Sequence, residues 1–282
     1  MTTRFAVIGH PISHSMSPAM HNAVFQSLGL DCDYTLFDVA PTDLGASIKK
    51  MKEQGFGGVN VTIPHKVAVI EHLDSLSDEA RIIGAVNTIK FGDNLKGFNT
   101  DGIGALQALR ANGADPAGKK IVILGSGGAA RAISVTLALR GEIRAMSILG
   151  VNTSEVDRLT GDIKAGAGFS AEGHALESTT IEEQIKCADI LIHATPVGMH
   201  PKVDETLVSA RQMKPGLTVM DIVYNPLETR LMKEAKSAGV ETIISGVDMF
   251  VNQGAEALRI WLGIEPPVEL MKKVVVSSLN QG

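Results

Sequence analysis

Ile121-Val122-Ile123-Leu124 runs directly into Gly125-Ser126-Gly127-Gly128-Ala129-Ala130, and a stretch of helical character follows as far as Arg140, with Gly141 as its stop. A buried strand that turns through glycines into a helix restricts the fold more than any other feature of the chain. The spacing is G-x-G-x-x-A, in which small residues allow a tight turn, admit a pyrophosphate close to the backbone and pack the helix on its strand. Unpaired N–H groups and the helix dipole add attraction for an anion at that end. The expected cofactor-binding residues here are Gly125, Ser126, Gly127, Gly128 and Ala129, with a purely structural turn as the plain alternative. Strand-like runs recur at about Ala145 to Leu149, Asp189 to Ala194, Thr218 to Ile222 and Thr242 to Ile244, with helical stretches between them. That alternation predicts a parallel sheet wrapped on both faces. Gly161 to Gly173 is loosely patterned and is expected to be a loop.

The half before this turn repeats the alternation less regularly. Phe5 to Ile8 reads as a buried strand and Pro18 to Leu28 as a helix with Met20, Val24, Phe25 and Leu28 on one face. Asp33 to Val39 is expected as a strand, Thr42 to Glu53 as a helix and Gly58 to Ile63 as a third strand. In the last, Val59, Val61 and Ile63 alternate with Asn60 and Thr62. A strand covered by helices on both faces is usually apolar on both, so the polar pair points to a face that lines a cavity. Pro64 stops the strand and leaves Lys66 just past its carboxyl end. Gly84 to Phe91 and Leu95 to Asn99 form an expected hairpin around Gly92-Asp93-Asn94. Ile103 to Ala111 is a helix leading into the second domain, and a final helix at about Met249 to Leu262 returns to the first. The expected division is residues 1–105, joined by 249–282, and residues 106–248.

The 282 residues suit two domains of ordinary size, and 44% hydrophobic with 20% charged residues is normal for a globular protein. A net charge of −5 gives no general attraction to nucleic acid or to an anionic membrane, so an acidic ligand would need locally placed donors. Cys32 and Cys187 are too few for a disulfide framework, which makes a reducing cytoplasm the expected location. No apolar run approaches the roughly 20 residues of a membrane helix. The eight histidines do not cluster at ligand spacing, so no metal site is expected; His14 and His21 read as local hydrogen-bonding or packing residues.

Polar clusters at the edges of apolar segments carry the chemistry. Ser15 and Ser17 flank a helix start, where a carboxylate would meet two hydroxyls and free N–H groups; alternatively Ser17 is simply the N-cap before Pro18. Reducing a ketone leaves a developing alkoxide that needs a proton donor within hydrogen-bond reach. Lys66 is the candidate for that task, and otherwise a solvated surface charge. Asp101 can orient an ammonium group or a hydroxyl, or cap the helix before Ile103.

Taken together, these motifs resemble the shikimate dehydrogenase family. The resemblance rests on Pro-Ile-Ser-His-Ser-Met-Ser-Pro from Pro11, Asn-Val-Thr-Ile-Pro-His-Lys from Asn60, Gly-Ala-Val-Asn-Thr from Gly84 and Asn-Thr-Asp-Gly from Asn99. Ala-Thr-Pro-Val-Gly-Met from Ala194, Tyr-Asn-Pro-Leu-Glu-Thr from Tyr224 and Met-Phe-Val-Asn-Gln from Met249 extend it, so that it covers about Arg4 to Trp261. It implies an N-terminal α/β substrate domain and a Rossmann-like doubly wound dinucleotide-binding domain with a cleft between them. It also implies reversible NADPH-dependent reduction of 3-dehydroshikimate to shikimate, as a monomer or homodimer that acts on a small molecule. Lys66 and Asp101 match the family's catalytic pair. Ser15, Ser17, Thr62, Asn87, Tyr224 and Gln253 match its substrate contacts, and Ile222 and Gly246 match positions near the nicotinamide. Quinate-using relatives often carry threonine where this chain has Ser17, which favours shikimate. Two departures stand out. NADP-using members usually show Asn-Arg-Thr after the second cofactor-domain strand, where this chain has Gly150-Val151-Asn152-Thr153, and His193 replaces a common asparagine. Arg131 and Arg158 are the nearby cations left to meet a 2′-phosphate, with Glu155 and Asp157 opposing them. The alternatives are a quinate or shikimate dehydrogenase using NAD, and a non-catalytic dinucleotide-sensing relative.

Overall fold

The computed structural model describes residues 2–280. Met1, Gln281 and Gly282, the outermost residues of the expected first domain, lie outside the described residues. Backbone compactness divides the chain into two units, Met1–Thr100 with Gln253–Gly282, and Asp101–Asn252.

The first unit begins β1 (Thr3–Gly9), α1 (Ser17–Ser27), β2 (Cys32–Asp38), α2 (Leu44–Glu53), β3 (Phe56–Val61), β4 (Ser75–Leu76), α3 (Asp78–Ile83), β5 (Thr88–Lys90) and β6 (Lys96–Phe98). Its sheet has the order β2-β1-β3-β5-β6-β4. β1 pairs in parallel with β2 and β3, while β3–β5 and β5–β6 are antiparallel, which gives the expected hairpin. Ala6, Ile8, Val59 and Val61 bury one face of the sheet against Ile48 and Met51 of α2. β3 stops at Val61 and not at Ile63, because the chain leaves the sheet into a turn closed by His65 N–H donating to the Thr62 carbonyl at 2.9 Å. Neither β4 nor α3 was expected from the sequence pattern. Both are too short for periodicity to register, and α3 is fixed by its ends: the Ser77 hydroxyl accepts from Ala80 N–H, and Gly84 closes it at φ +70.

The second unit comprises α4 (Asp101–Ala111), β7 (Lys120–Leu124), α5 (Gly128–Arg140), β8 (Ala145–Gly150), α6 (Thr153–Ala167), β9 (Glu172–Ala175), α7 (Ser178–Lys186), β10 (Ile190–His193), β11 (Thr218–Asp221), α8 (Arg230–Ser237), β12 (Thr242–Ile244) and the start of α9 (Gly246–Leu262). Its sheet is wholly parallel, in the order β12-β11-β10-β7-β8-β9. That is the doubly wound order, with the direction of winding reversing between β7 and β10. The side chains of Ile121 to Leu124 are fully buried, as befits a central parallel strand. The unit starts at Asp101, ahead of the expected residue 106, because α4 packs on α5: a Cβ at Gly102 would lie 2.4 Å from the Ala132 carbonyl oxygen.

Two further expectations need correction here. Gly161 to Gly173 is not a loop: α6 runs to Ala167, with Val156, Leu159 and Ile163 buried at helical spacing, and only then does the chain enter β9. Glycines and alanines in its last turns hid the helix from the pattern. After α9 the chain adds α10 (Val268–Leu279), also unexpected, which buries Met271 and Val275 in the first unit. Trp261, late in α9, stacks on Phe5 at 4.9 Å between ring centroids and donates its indole N–H to the Ile89 carbonyl at 2.9 Å, closing the second face of that sheet.

Candidate active site

In the first unit the candidate substrate residues gather at the carboxyl ends of β1 and β3 and at the start of β5. Lys66 sits on the turn after β3, half-buried, with both flanks pinned. Its own carbonyl accepts from Val86 N–H at 2.7 Å, and the buried His65 ring nitrogen Nε2 lies 2.7 Å from the Val39 carbonyl oxygen. Thr62 is held at the head of the same turn by N–H donation to the Ile8 carbonyl at 2.9 Å. The lysine therefore has a fixed backbone and a partly exposed side chain.

A buried hydrogen-bond network joins several of the others. The Tyr34 hydroxyl donates to Asn60 Oδ1 at 2.7 Å. Asn60 Nδ2 donates to Thr88 Oγ1 at 3.0 Å, and that hydroxyl donates to Asn87 Oδ1 at 2.9 Å. Asn87 Nδ2 donates to Thr100 Oγ1 at 3.0 Å, and Thr100 Oγ1 lies 3.4 Å from Gln253 Oε1. Ser17 reaches the other end of the chain through a side-chain hydrogen bond to Tyr34. Ser17, Asn87 and Gln253 are thus linked through Asn60, expected as part of a cavity wall, and through Tyr34, Thr88 and Thr100, to which the sequence assigned no role. Asn60 corrects one expectation: it is only 7% exposed and its amide is engaged by neighbours, so it belongs to a buried network and not to an open cavity wall. The polar alternation in β3 was the available signal for it.

Ser17 is the first residue of α1 and Met16 its N-cap, with no side-chain cap, so the capping alternative does not hold. Ser17 N–H donates instead to Ser15 Oγ at 3.3 Å. Both hydroxyls lie beside a helix start whose N-cap residue, Met16, makes no side-chain cap bond. His21, one turn further along α1, is fully buried against Tyr34, with ring centroids 4.3 Å apart and both ring nitrogens lacking a hydrogen-bond partner. Burial pulls its pKa down to about 3.

In the second unit the glycine turn lies where the winding reverses, outside the carboxyl ends of β7 and β10, the usual ligand position of such a sheet. Gly125 has φ +120, and a Cβ there would come within 2.5 Å of the Ala194 carbonyl oxygen, so only glycine fits. A Cβ at Gly127 or Gly128 would meet nothing within 4 Å. Gly127 caps α5 without a side-chain hydrogen bond. Open space beside uncapped helical N–H groups fits a pyrophosphate. Ser126 Oγ donates to Glu155 Oε2 at 3.3 Å. Past β8, Val151 is 86% exposed where an arginine would meet a 2′-phosphate, and Asn152 caps α6. Arg131 is paired with Asp162 at 2.5 Å, and Arg158 is exposed. Ile222 follows β11, and Gly246 packs on it so closely that a Cβ would lie 2.3 Å from the Ile222 carbonyl oxygen. Asp101, 8% exposed, opens α4. Tyr224 packs on Phe250 at 5.1 Å, and burial raises the pKa of its phenol. Among the described residues no group of three or more His, Cys, Asp or Glu side chains is arranged to hold a metal ion, and no helix is long and apolar enough to cross a membrane.

Comparison with known proteins places this geometry among its relatives. Residues 7–89 match the shikimate dehydrogenase substrate binding domain, and residues 246–276 match the shikimate 5'-dehydrogenase C-terminal domain. A Methanosarcina barkeri protein named shikimate dehydrogenase (NADP(+)) is 48% identical over 280 residues, covering 98% of either chain. A crystal structure of a shikimate dehydrogenase in complex with NADP+ superposes with a TM-score of 0.92 at 40% identity, covering 99% of this chain and 96% of that one. The Listeria monocytogenes shikimate 5-dehydrogenase, solved in complex with shikimate and NAD, gives 0.91 at 35% identity over 97% of this chain and 96% of that one.

Proposed function

The chain belongs to the shikimate dehydrogenase family, and from that premise we propose that it catalyses the reversible NADPH-dependent reduction of 3-dehydroshikimate to shikimate, a step of aromatic amino acid biosynthesis. The observation that carries this reading is the combination of a donor-rich network at the strand ends of the first unit with a pyrophosphate-sized space at the winding reversal of the second. Ser15 and Ser17 hold the substrate carboxylate beside the start of α1. Thr62, Asn87, Tyr224 and Gln253 take the ring hydroxyls or carboxylate of the substrate. Lys66 delivers a proton to the carbonyl oxygen as the ketone becomes an alcohol, and accepts one in the reverse direction. Asp101 takes the second role of the pair, orienting a substrate hydroxyl. Gly125, Ser126, Gly127, Gly128 and Ala129 would hold the pyrophosphate of NADP, with Ile222 and Gly246 toward its nicotinamide. The bound dinucleotide supplies or accepts the hydride.

The free thiols of Cys32 and Cys187 accord with a reducing cytoplasm. Sedimentation of the purified chain distinguishes monomer from homodimer. The deciding assay follows absorbance in the reduced-nicotinamide band with shikimate or quinate, each against both cofactors. Turnover of shikimate with NADP is expected; turnover of quinate alone, or of neither acid, rejects the reading.

A further inference from the structure

A histidine lies buried inside the second unit, and the surroundings of that ring assign it a task. His193 ends β10 and Asp221 ends β11, opposite each other in the parallel register. Their side chains are 3% and 1% exposed, and His193 Nδ1 lies 2.9 Å from Asp221 Oδ1. Nε2 lies 2.5 Å from Thr195 Oγ1. The carboxylate is completed by Val223 N–H donating to Oδ1 at 3.0 Å and by the Thr229 hydroxyl donating to Oδ2 at 2.6 Å.

Counting donors assigns the tautomer. An ionised aspartate only accepts, so Nδ1 carries a hydrogen and donates it. With Nδ1 donating to the aspartate, a neutral imidazole leaves Nε2 as acceptor for the Thr195 hydroxyl, whose oxygen also accepts from Val197 N–H at 3.2 Å. Every buried polar atom of the chain Thr195–His193–Asp221–Thr229 is then satisfied by an imidazole protonated on Nδ1 alone.

The chain abuts each candidate cofactor position. Ala194 and Thr195 are the atoms that a Cβ at Gly125 would strike, at 2.5 and 3.2 Å. Ile222 lies between Asp221 and Val223 and donates its N–H to the His193 carbonyl at 3.1 Å, and Gly246 packs on the Ile222 carbonyl. The ring joins the turn after β10 to the end of β11, bonded to Thr195 on one side and to Asp221 on the other. We propose that His193 is a positioning residue for the nicotinamide cofactor, fixing the Thr195–Gly198 turn and Ile222 at their places beside the glycine turn. The inference rests on the dinucleotide reading of that turn and adds to it a residue with no contact of its own to the ligand.

The test uses the whole enzyme, free of substrate for the spectrum and the calorimetry. Long-range ¹H–¹⁵N correlation reads the imidazole tautomer, calorimetry reads the Kd for NADP, and steady-state rates give KM for shikimate. The spectrum of the unsubstituted enzyme should show a single Nδ1–H ring. His193→Leu should raise the Kd for NADP about tenfold or more, as expected for a lost buried hydrogen bond, while KM for shikimate stays within about twofold. Thr195→Val, which spares the pair with Asp221, should raise Kd by about threefold or more. His193→Asn retains a donor and an acceptor on one side chain and should restore Kd to within about threefold of the starting enzyme. An Nε2–H tautomer, unchanged Kd in folded His193→Leu and Thr195→Val, or an equal rise in both constants would overturn the role. Should His193→Leu fail to fold, Thr195→Val and His193→Asn decide. Failure of the unsubstituted enzyme to bind NADP would instead reject the cofactor reading itself.

Discussion

Lys66 owes its position to its neighbours: the His65 ring lies on the Val39 carbonyl and Val86 N–H reaches the Lys66 carbonyl, and the role proposed for its ammonium group is proton transfer. Lys66→Ala should therefore lower kcat by about 10²-fold or more with little change in KM for shikimate, the usual contribution of a general acid–base group. Retained kcat with a raised KM would make it a binding residue instead. Tyr34 belongs to the buried network that includes the candidate substrate residue Asn87. Tyr34→Phe strips Asn60 Oδ1 of its donor in a buried site, which costs about 1–3 kcal/mol. A fall in the denaturant midpoint together with a raised KM for shikimate is the expected result, and an unchanged KM would detach the network from binding. His21 sets a pH dependence. Its folded pKa of about 3 lies below the 6.5 of an ordinary histidine, so the unfolded chain binds the extra proton first as pH falls. Above 6.5 this group costs nothing; between 6.5 and about 3 stability declines, by up to about 1.4 kcal/mol per pH unit. His21→Leu should flatten the fall in Tm across that window, whatever it does to stability at neutral pH. An equally steep fall in the variant would show that other groups dominate.

At the scale of elements, the turn from β8 into α6 decides cofactor choice. An arginine and a phosphate form a strong bidentate contact, yet Val151 stands exposed at that place and Arg131 is already paired with Asp162. NADP should be used with weak discrimination, kcat/KM within about tenfold to a hundredfold of that for NAD, or roughly 1.4–2.8 kcal/mol. Measuring both cofactors at saturating shikimate decides it, since a preference above about a thousandfold would require a phosphate clamp elsewhere. How legible the elements were in the sequence follows their length and periodicity. β7 and α5 were readable because an aliphatic run, a glycine turn and a helical stretch follow one another without a gap. α6 was lost in its second half, where Gly161, Ala165 and Gly166 dilute the apolar spacing, and α3 could be recognised only through the cap contacts at its two ends.

For the molecule as a whole, two separate apolar cores stand behind the two sets of site residues, one around Ile8, Val59 and Ile89 and one around Val122, Leu191 and Val219. Ligands should leave correspondingly separate marks. NADP at about a hundred times its Kd adds about 2.7 kcal/mol to the stability of whatever it binds. Slowed amide exchange is expected at residues 125–131, 194–198 and 222–223 of the second unit. Shikimate should slow exchange at 60–66, 86–88 and 99–100 of the first unit. Protection by NADP confined to the first unit would reverse the assignment of substrate and cofactor halves.

The sequence by itself determined the doubly wound character of the second unit, since glycine spacing and buried aliphatic runs are local properties that any parallel sheet must satisfy. It also placed Lys66 beyond its strand, although β3 already ends at Val61, where the turn closed on the Thr62 carbonyl leaves the sheet ahead of Pro64. Tertiary structure alone decided which polar residues work together. Tyr34, Asn60, Thr88 and Thr100 are far apart in the chain and individually unremarkable, and His193 and Asp221 meet only because β10 and β11 are adjacent in the sheet. Hydrogen bonds between distant segments depend on register and on the direction of each side chain, and neither is written in the local pattern that periodicity and turn residues reveal.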